Sequence, residues 1–153
     1  MKVLIATDGS EFSRAAIDMI PKFFGNDGTS EFKIISVYET PAPMAAEPFA
    51  ISAEYYAELE NISKNAAATN ADAAQLQLKK QFPGSNVSIA VARGNPAAMI
   101  VEEAKNWNAD LIVVGSHGFG FWSRLMLGSV SNGVLHHAPC SVLVVRVPEL
   151  QKP

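Results

Sequence analysis

The chain has one cysteine, Cys140, among 153 residues. That excludes an internal disulfide framework and fits a reducing compartment. Charge is also scarce. Asp, Glu, Lys and Arg make up 18% of the residues, 12 basic against 15 acidic, for a net charge of −3. Nucleic-acid contact normally leaves a basic excess or stripe, so the balance argues against a polyanion binder. Long hydrophobic runs are missing as well. The opening Val3-Leu4-Ile5-Ala6 is too short for a signal-peptide core or a membrane span, and the expectation is a soluble cytoplasmic protein. Familiar signatures are absent too: no GxxxxGK(S/T) phosphate loop, no GxSxG nucleophile elbow. A GxGxxG reading of Gly118-Phe119-Gly120 fails at its third glycine, where Ser123 stands.

What is present is a core-forming chain. Apolar residues make up 48%, which excludes disorder, and the length predicts one domain, spanning 1–147 with a loose tail at 148–153. Short apolar runs alternate with helical patterns. Val3 to Ala6 reads as a strand buried on both faces. Ser10 caps a helix carrying Ala15, Ala16, Met19, Ile20 and Phe23. Phe32 to Tyr38 is a second strand. Pro41, Pro43 and Pro48 forbid a helix between Glu39 and Ala50, so that segment is a surface excursion. Ser52 to Gln81 has no Gly or Pro and strong helix formers throughout; a helix of that length, about 45 Å, overhangs the sheet or kinks. Asn86 to Ala92 is a third strand. Asn95-Pro96 opens a helix, Pro sitting where a missing N–H costs nothing. Leu111 to Val114 is a fourth strand ending at Gly115, Ser129 to His137 a short helix stopped by Pro139, and Ser141 to Val147 a fifth strand. This alternation predicts an α/β fold: an open parallel sheet with helices on both faces.

Ligands of such sheets bind beyond the carboxyl ends of the strands, where the strand order reverses. That rule selects Ala6-Thr7-Asp8 and the segment from Gly115 onward. In Gly115-Ser116-His117-Gly118, followed after nine residues by Gly128-Ser129, the glycines admit a ligand close to the backbone. The open N–H groups of Val130 and Ser131 at a helix start suit a phosphate, with the Ser129 and Ser131 hydroxyls as further donors. Spacing alone also allows an ordinary turn and cap. Asp8 could hold ribose hydroxyls or a phosphate-bound Mg²⁺; alone it is equally a turn-former. His117 suits a ligand-contacting or loop-ordering role better than acid–base work. Adjacent His136 and His137 point to different sides of a helix, against joint metal ligation. Cys140 fits a small buried hydrophobe. Arg124 could reach a phosphate, and Phe121 and Trp122 could pack down or meet a partner. The last strand, if at an edge, is long and apolar enough to need a cover, and a homodimer through Ser141 to Val147 would supply it.

Three stretches together resemble the universal stress protein family: Ile5-Ala6-Thr7-Asp8-Gly9-Ser10, the pattern G-x2-G-x9-G-(S/T) in Gly115-Ser116-His117-Gly118…Gly128-Ser129, and His137-Ala138-Pro139-Cys140-Ser141-Val142-Leu143-Val144-Val145. The resemblance implies a Rossmann-like five-stranded sheet of order 3-2-1-4-5, dimers through the fifth strand, and ATP (or ADP or AMP), with Mg²⁺ or Mn²⁺ accompanying a triphosphate, between strands one and four. Asp8 would contact the ribose and Val37 the adenine through its backbone. Val114 and Gly115 would lie beside the ribose–phosphate, His117 and Gly118 along the phosphates, and Gly128, Ser129, Val130 and Ser131 would hold the phosphates. Ala6 departs from the Pro that ATP-binding members often carry, which loosens the turn but removes no contact group. The implied function is a stress-response switch with slow or no hydrolysis. The alternatives are an enzyme hydrolysing or transferring the nucleotide, for which the adenylating motifs SGGxDS and HIGH are missing, and a dimerisation partner that binds none.

Overall fold

A computed structural model of the protein describes residues 1–25, 29–40, 52–117 and 127–146. Five parallel strands run through it: β1 (Lys2–Ala6), β2 (Glu31–Tyr38), β3 (Val87–Arg93), β4 (Leu111–Gly115) and β5 (Ser141–Val145). Their order is β3-β2-β1-β4-β5, as the resemblance implies. In β1, successive residues Val3, Leu4 and Ile5 are all 0% exposed, so both faces of the central strand are covered, which is why it reads as an unbroken apolar run.

The helices are α1 (Glu11–Met19), α2 (Ala53–Gln81), α3 (Pro96–Trp107) and α4 (Ser129–His137). On one face α1 and α2 bury Ala16, Ile17, Ala71, Ala74 and Leu78 against Val3, Ile5, Phe32, Ile34 and Val113. On the other, α3 and α4 bury Ile100, Ala104 and Val134 against Leu4, Ile35, Ile112 and Val114. α1 stops earlier than its apolar pattern suggests: Pro21 lies in a single 3-10 turn, Ile20–Lys22, that replaces its last turn. α2 is one helix of 29 residues whose buried positions, Ala67, Ala71, Ala74 and Leu78, all fall in its second half. Among the described residues, the first half is tied to the sheet only at the sheet's carboxyl end, where Glu60 pairs with Arg93 of β3. At the amino end of the sheet Lys33 bridges Glu103 at 2.7 Å, and both Lys33 and Lys2 sit over the Trp107 ring, pinning the end of α3.

Several expectations lie outside the described residues: most of the excursion after Glu39, Gly118, the loop bearing Phe121, Trp122 and Arg124, Val147 and the tail. No helix among the described residues is long and apolar enough to cross a membrane.

Candidate functional site

The strand order reverses between β1 and β4, which pair through Val3–Leu111, Leu4–Ile112 and Ile5–Val113. From there β1 leads into Thr7-Asp8-Gly9 and β4 into Ser116-His117. The two segments singled out by their glycines and serines are tied together: Gly128 N–H donates to Ser116 O at 2.9 Å, and Ser131 Oγ donates to Gly115 O at 2.6 Å. The start of α4 is thus fastened beneath the end of β4.

Three helices carry a side-chain cap: Ser10 Oγ accepts from Ser13 N–H, Ser52 Oγ from Tyr55 N–H, and Asn95 Oδ1 from Ala98 N–H. The fourth does not. Gly128 occupies the N-cap of α4 and offers no side-chain acceptor. The first intrahelical bond runs from Asn132 N–H to Gly128 O, so the N–H groups of Ser129, Val130 and Ser131 point past the helix end unpaired. This is a set of donors at the positive end of a dipole, at the sheet edge where ligands of this architecture bind.

The serines and threonine of the site divide into two groups. Ser131 is buried and its hydroxyl is committed to Gly115, leaving its N–H open at the helix start. Ser116 is also buried; its N–H donates to Val145 O and its Oγ lies 3.1 Å from His117 Nδ1. Thr7, buried too, donates from its N–H to Ile35 O and from Oγ1 to Ser13. These three are framework. Ser129 is exposed and available. His117 packs its ring 5.5 Å from that of Phe12. Gly115 is tightly packed: a Cβ there would stand 3.1 Å from the backbone of Phe12, closer than ordinary van der Waals contact.

Asp8 is held from two sides. Its Oδ1 accepts from Ser10 N–H at 3.0 Å, and its carbonyl accepts from Asn70 Nδ2 of α2 at 2.9 Å. Gly9 follows at φ +78°, and a Cβ on it would run into the Asn70 amide. We expect Gly9→Ala to cost about 1–3 kcal/mol in urea denaturation, while Gly25→Ala, where a Cβ meets open space, leaves the midpoint unchanged. Asn70 and Phe12 escape sequence reasoning: Asn70 lies 62 positions from Asp8, and no short spacing announces either. Val37 and Ala6 lie on the α3–α4 side with Val114 and Val130, forming a partly covered apolar wall beside the donors.

Cys140 sits before β5, half-buried, with its thiol pKa raised by desolvation and by Asp110. His137 Nδ1 lies 2.9 Å from Gly133 O. Among the described residues no group of three His, Cys, Asp or Glu could hold a metal.

The family model described as "Universal stress protein family" matches residues 1–146. A protein of Coxiella burnetii, universal stress protein A homolog 2, is 59% identical over 49 residues, and that match covers 32% of this chain and 33% of the relative's length. Universal stress protein Sll1388 of Synechocystis is 28% identical over 95% of this chain and 97% of its own. Among solved structures, the hypothetical protein MJ0577 superposes with a TM-score of 0.81 at 26% identity, covering 97% of this chain and 96% of the other. A universal stress protein family member of Arabidopsis thaliana, solved with AMP bound, shares the fold with a TM-score of 0.67 at 20% identity, covering 100% and 95%.

Proposed function

From the premise that the chain belongs to the universal stress protein family, we propose that it binds an adenine nucleotide, ATP or its products ADP and AMP, and acts as a cytoplasmic, nucleotide-dependent stress-response switch with slow or no hydrolysis. The observation that carries the reading is the uncapped start of α4, fastened under Gly115 and Ser116 at the β1/β4 reversal. The AMP-bound Arabidopsis relative supports the ligand class.

In this reading the N–H groups of Ser129, Val130 and Ser131, with the Ser129 hydroxyl, take the phosphates. Gly115, His117 and Gly118 lie along them. Asp8, whose second carboxylate oxygen is not engaged, takes the ribose hydroxyls. Val37 meets the base through its backbone, with Ala6 and Val114 lining the cleft. A divalent cation accompanying the phosphates would supply charge neutralisation there. The one histidine at the site has Nδ1 3.1 Å from Ser116 Oγ. The edge position of β5, with Val142, Leu143 and Val144 half-buried, supports a homodimer through that strand.

The test is thermal unfolding with and without ATP, ADP and AMP. At a hundredfold excess over Kd a bound ligand stabilises by about 2.7 kcal/mol, which at this size raises Tm by about 5–10 °C. No rise with any of the three overturns the reading. Turnover of many ATP per protomer per minute would favour the enzyme instead.

A further inference from the structure

The 29-residue helix α2 carries two seams. One faces its own sheet: Ala67, Ala71, Ala74 and Leu78 are buried, flanked by Gln75, which donates to Val87 O, and by Gln77, which donates to Asp18 of α1. The other points nearly the opposite way. Tyr55, Leu59, Ile62, Ala66, Thr69, Ala73 and Leu76 follow one another at alternating spacings of four and three, the heptad repeat of a coiled-coil seam. All are exposed except half-buried Leu59. Six large apolar side chains are exposed among the described residues, and three of them, Tyr55 at 49%, Ile62 at 59% and Leu76 at 60%, fall on this one stripe. A random surface scatters such residues singly; a stripe of them marks a contact.

The polar residues beside the stripe say what covers it. Acidic Glu54 and Glu58 lie near the start of the helix and basic Lys79 and Lys80 at its end, whereas Glu60, in line with Ala67 and Ala74, turns back to its own body and pairs with Arg93. Laid parallel, two copies would set like charges side by side. Laid antiparallel, they set opposite charges together. In the antiparallel register that matches the seam, Leu59 meets Leu76 of the second copy, Ile62 meets Ala73 and Ala66 meets Thr69. The flanking positions then bring Glu58 against Lys79, twice, by symmetry. The two-fold axis falls between Ala66 and Thr69, at the middle of the helix, so the whole length overlaps. The two bodies stand on opposite sides of the helix pair, since each seam faces away from its own sheet.

We infer that α2 pairs antiparallel with α2 of a second copy of this chain, forming an interface separate from β5. This does not depend on nucleotide binding. Sedimentation velocity of the full chain tests it, with far-UV circular dichroism and Tm confirming that each variant stays folded. Ile62→Asp, at an exposed position, places a carboxylate in the seam. It should weaken self-association by about 100-fold and halve the assembly's mass. Glu58→Lys and Lys79→Glu should each weaken it by about fivefold through like-charge contact, and the two combined should restore it. A chain that sediments as a single copy at all concentrations overturns the proposal. So does an assembly whose mass Ile62→Asp leaves unchanged, as pairing through β5 alone would give, or a charge swap that does not rescue.

Discussion

Replacing Ser129 by Asp should weaken ATP and AMP binding by about 100-fold, about 2.7 kcal/mol, without lowering stability. The two effects separate because they act on the same donors in opposite senses. A carboxylate in the first turn of α4 meets unpaired N–H groups and the positive end of the helix, worth about 0.3–1 kcal/mol to the helix, so Tm holds or rises slightly. If the phosphate binds here as proposed, the same carboxylate would take its place and repel it. Two like charges about 4 Å apart cost about 4 kcal/mol at the dielectric typical near a protein surface, enough for the expected loss. Ser129→Ala removes one hydroxyl and should cost only about fivefold, one neutral hydrogen bond. Titration calorimetry with ATP, AMP and adenosine checks the origin: adenosine, having no phosphate, should lose far less than the nucleotides. Undiminished ATP binding by the Asp variant would place the phosphates elsewhere.

Phe32→Ala should do the reverse. Phe32 is 1% exposed, with the Phe82 ring 5.0 Å away and the Phe24 ring edge-on at 6.2 Å. Truncating such a side chain leaves a cavity and costs about 3–5 kcal/mol, which for a chain of this length lowers Tm by about 10 °C. Affinity at room temperature should stay within about twofold. Phe32 lies at the amino end of β2, five residues and about 16 Å before Val37, and the intervening strand is paired on both sides. Urea denaturation and calorimetry on one preparation give both numbers. A stability loss below about 1 kcal/mol would mean that the cavity closes by repacking. Together the two variants separate the apolar scaffold from the polar edge it holds in place.

The sheet was legible because burial on both faces removes polar residues from a strand. Val3 to Ile5 and Ile112 to Val114 are apolar for that reason, and the helix starts at Ser10 and Asn95 followed from cap chemistry. Boundaries moved where local chemistry intervened. Pro21 ended α1 a turn early, β1 begins at Lys2, and β3 runs on to Arg93. The convergence of the end of β4 on the start of α4 is an inference from the spacing of their glycines; the bonds that hold it, Gly128 to Ser116 and Ser131 to Gly115, span 12 and 16 positions and leave no periodic trace. They also changed the role of a residue. Ser131 reads from its sequence as a hydroxyl donor to a ligand, and the fold commits that hydroxyl to the framework.

The sequence by itself determined the alternation of strands and helices and the glycines and serines that follow β4 and open α4, because these depend on contacts and propensities within a few residues of one another. Tertiary structure alone decided which of those polar groups remain open, that Asn70 steadies Asp8, and that one stripe of α2 faces outward. Each of these depends on what a distant segment brings alongside, and a side chain's free hydrogen-bonding capacity is what remains after those neighbours have taken their share.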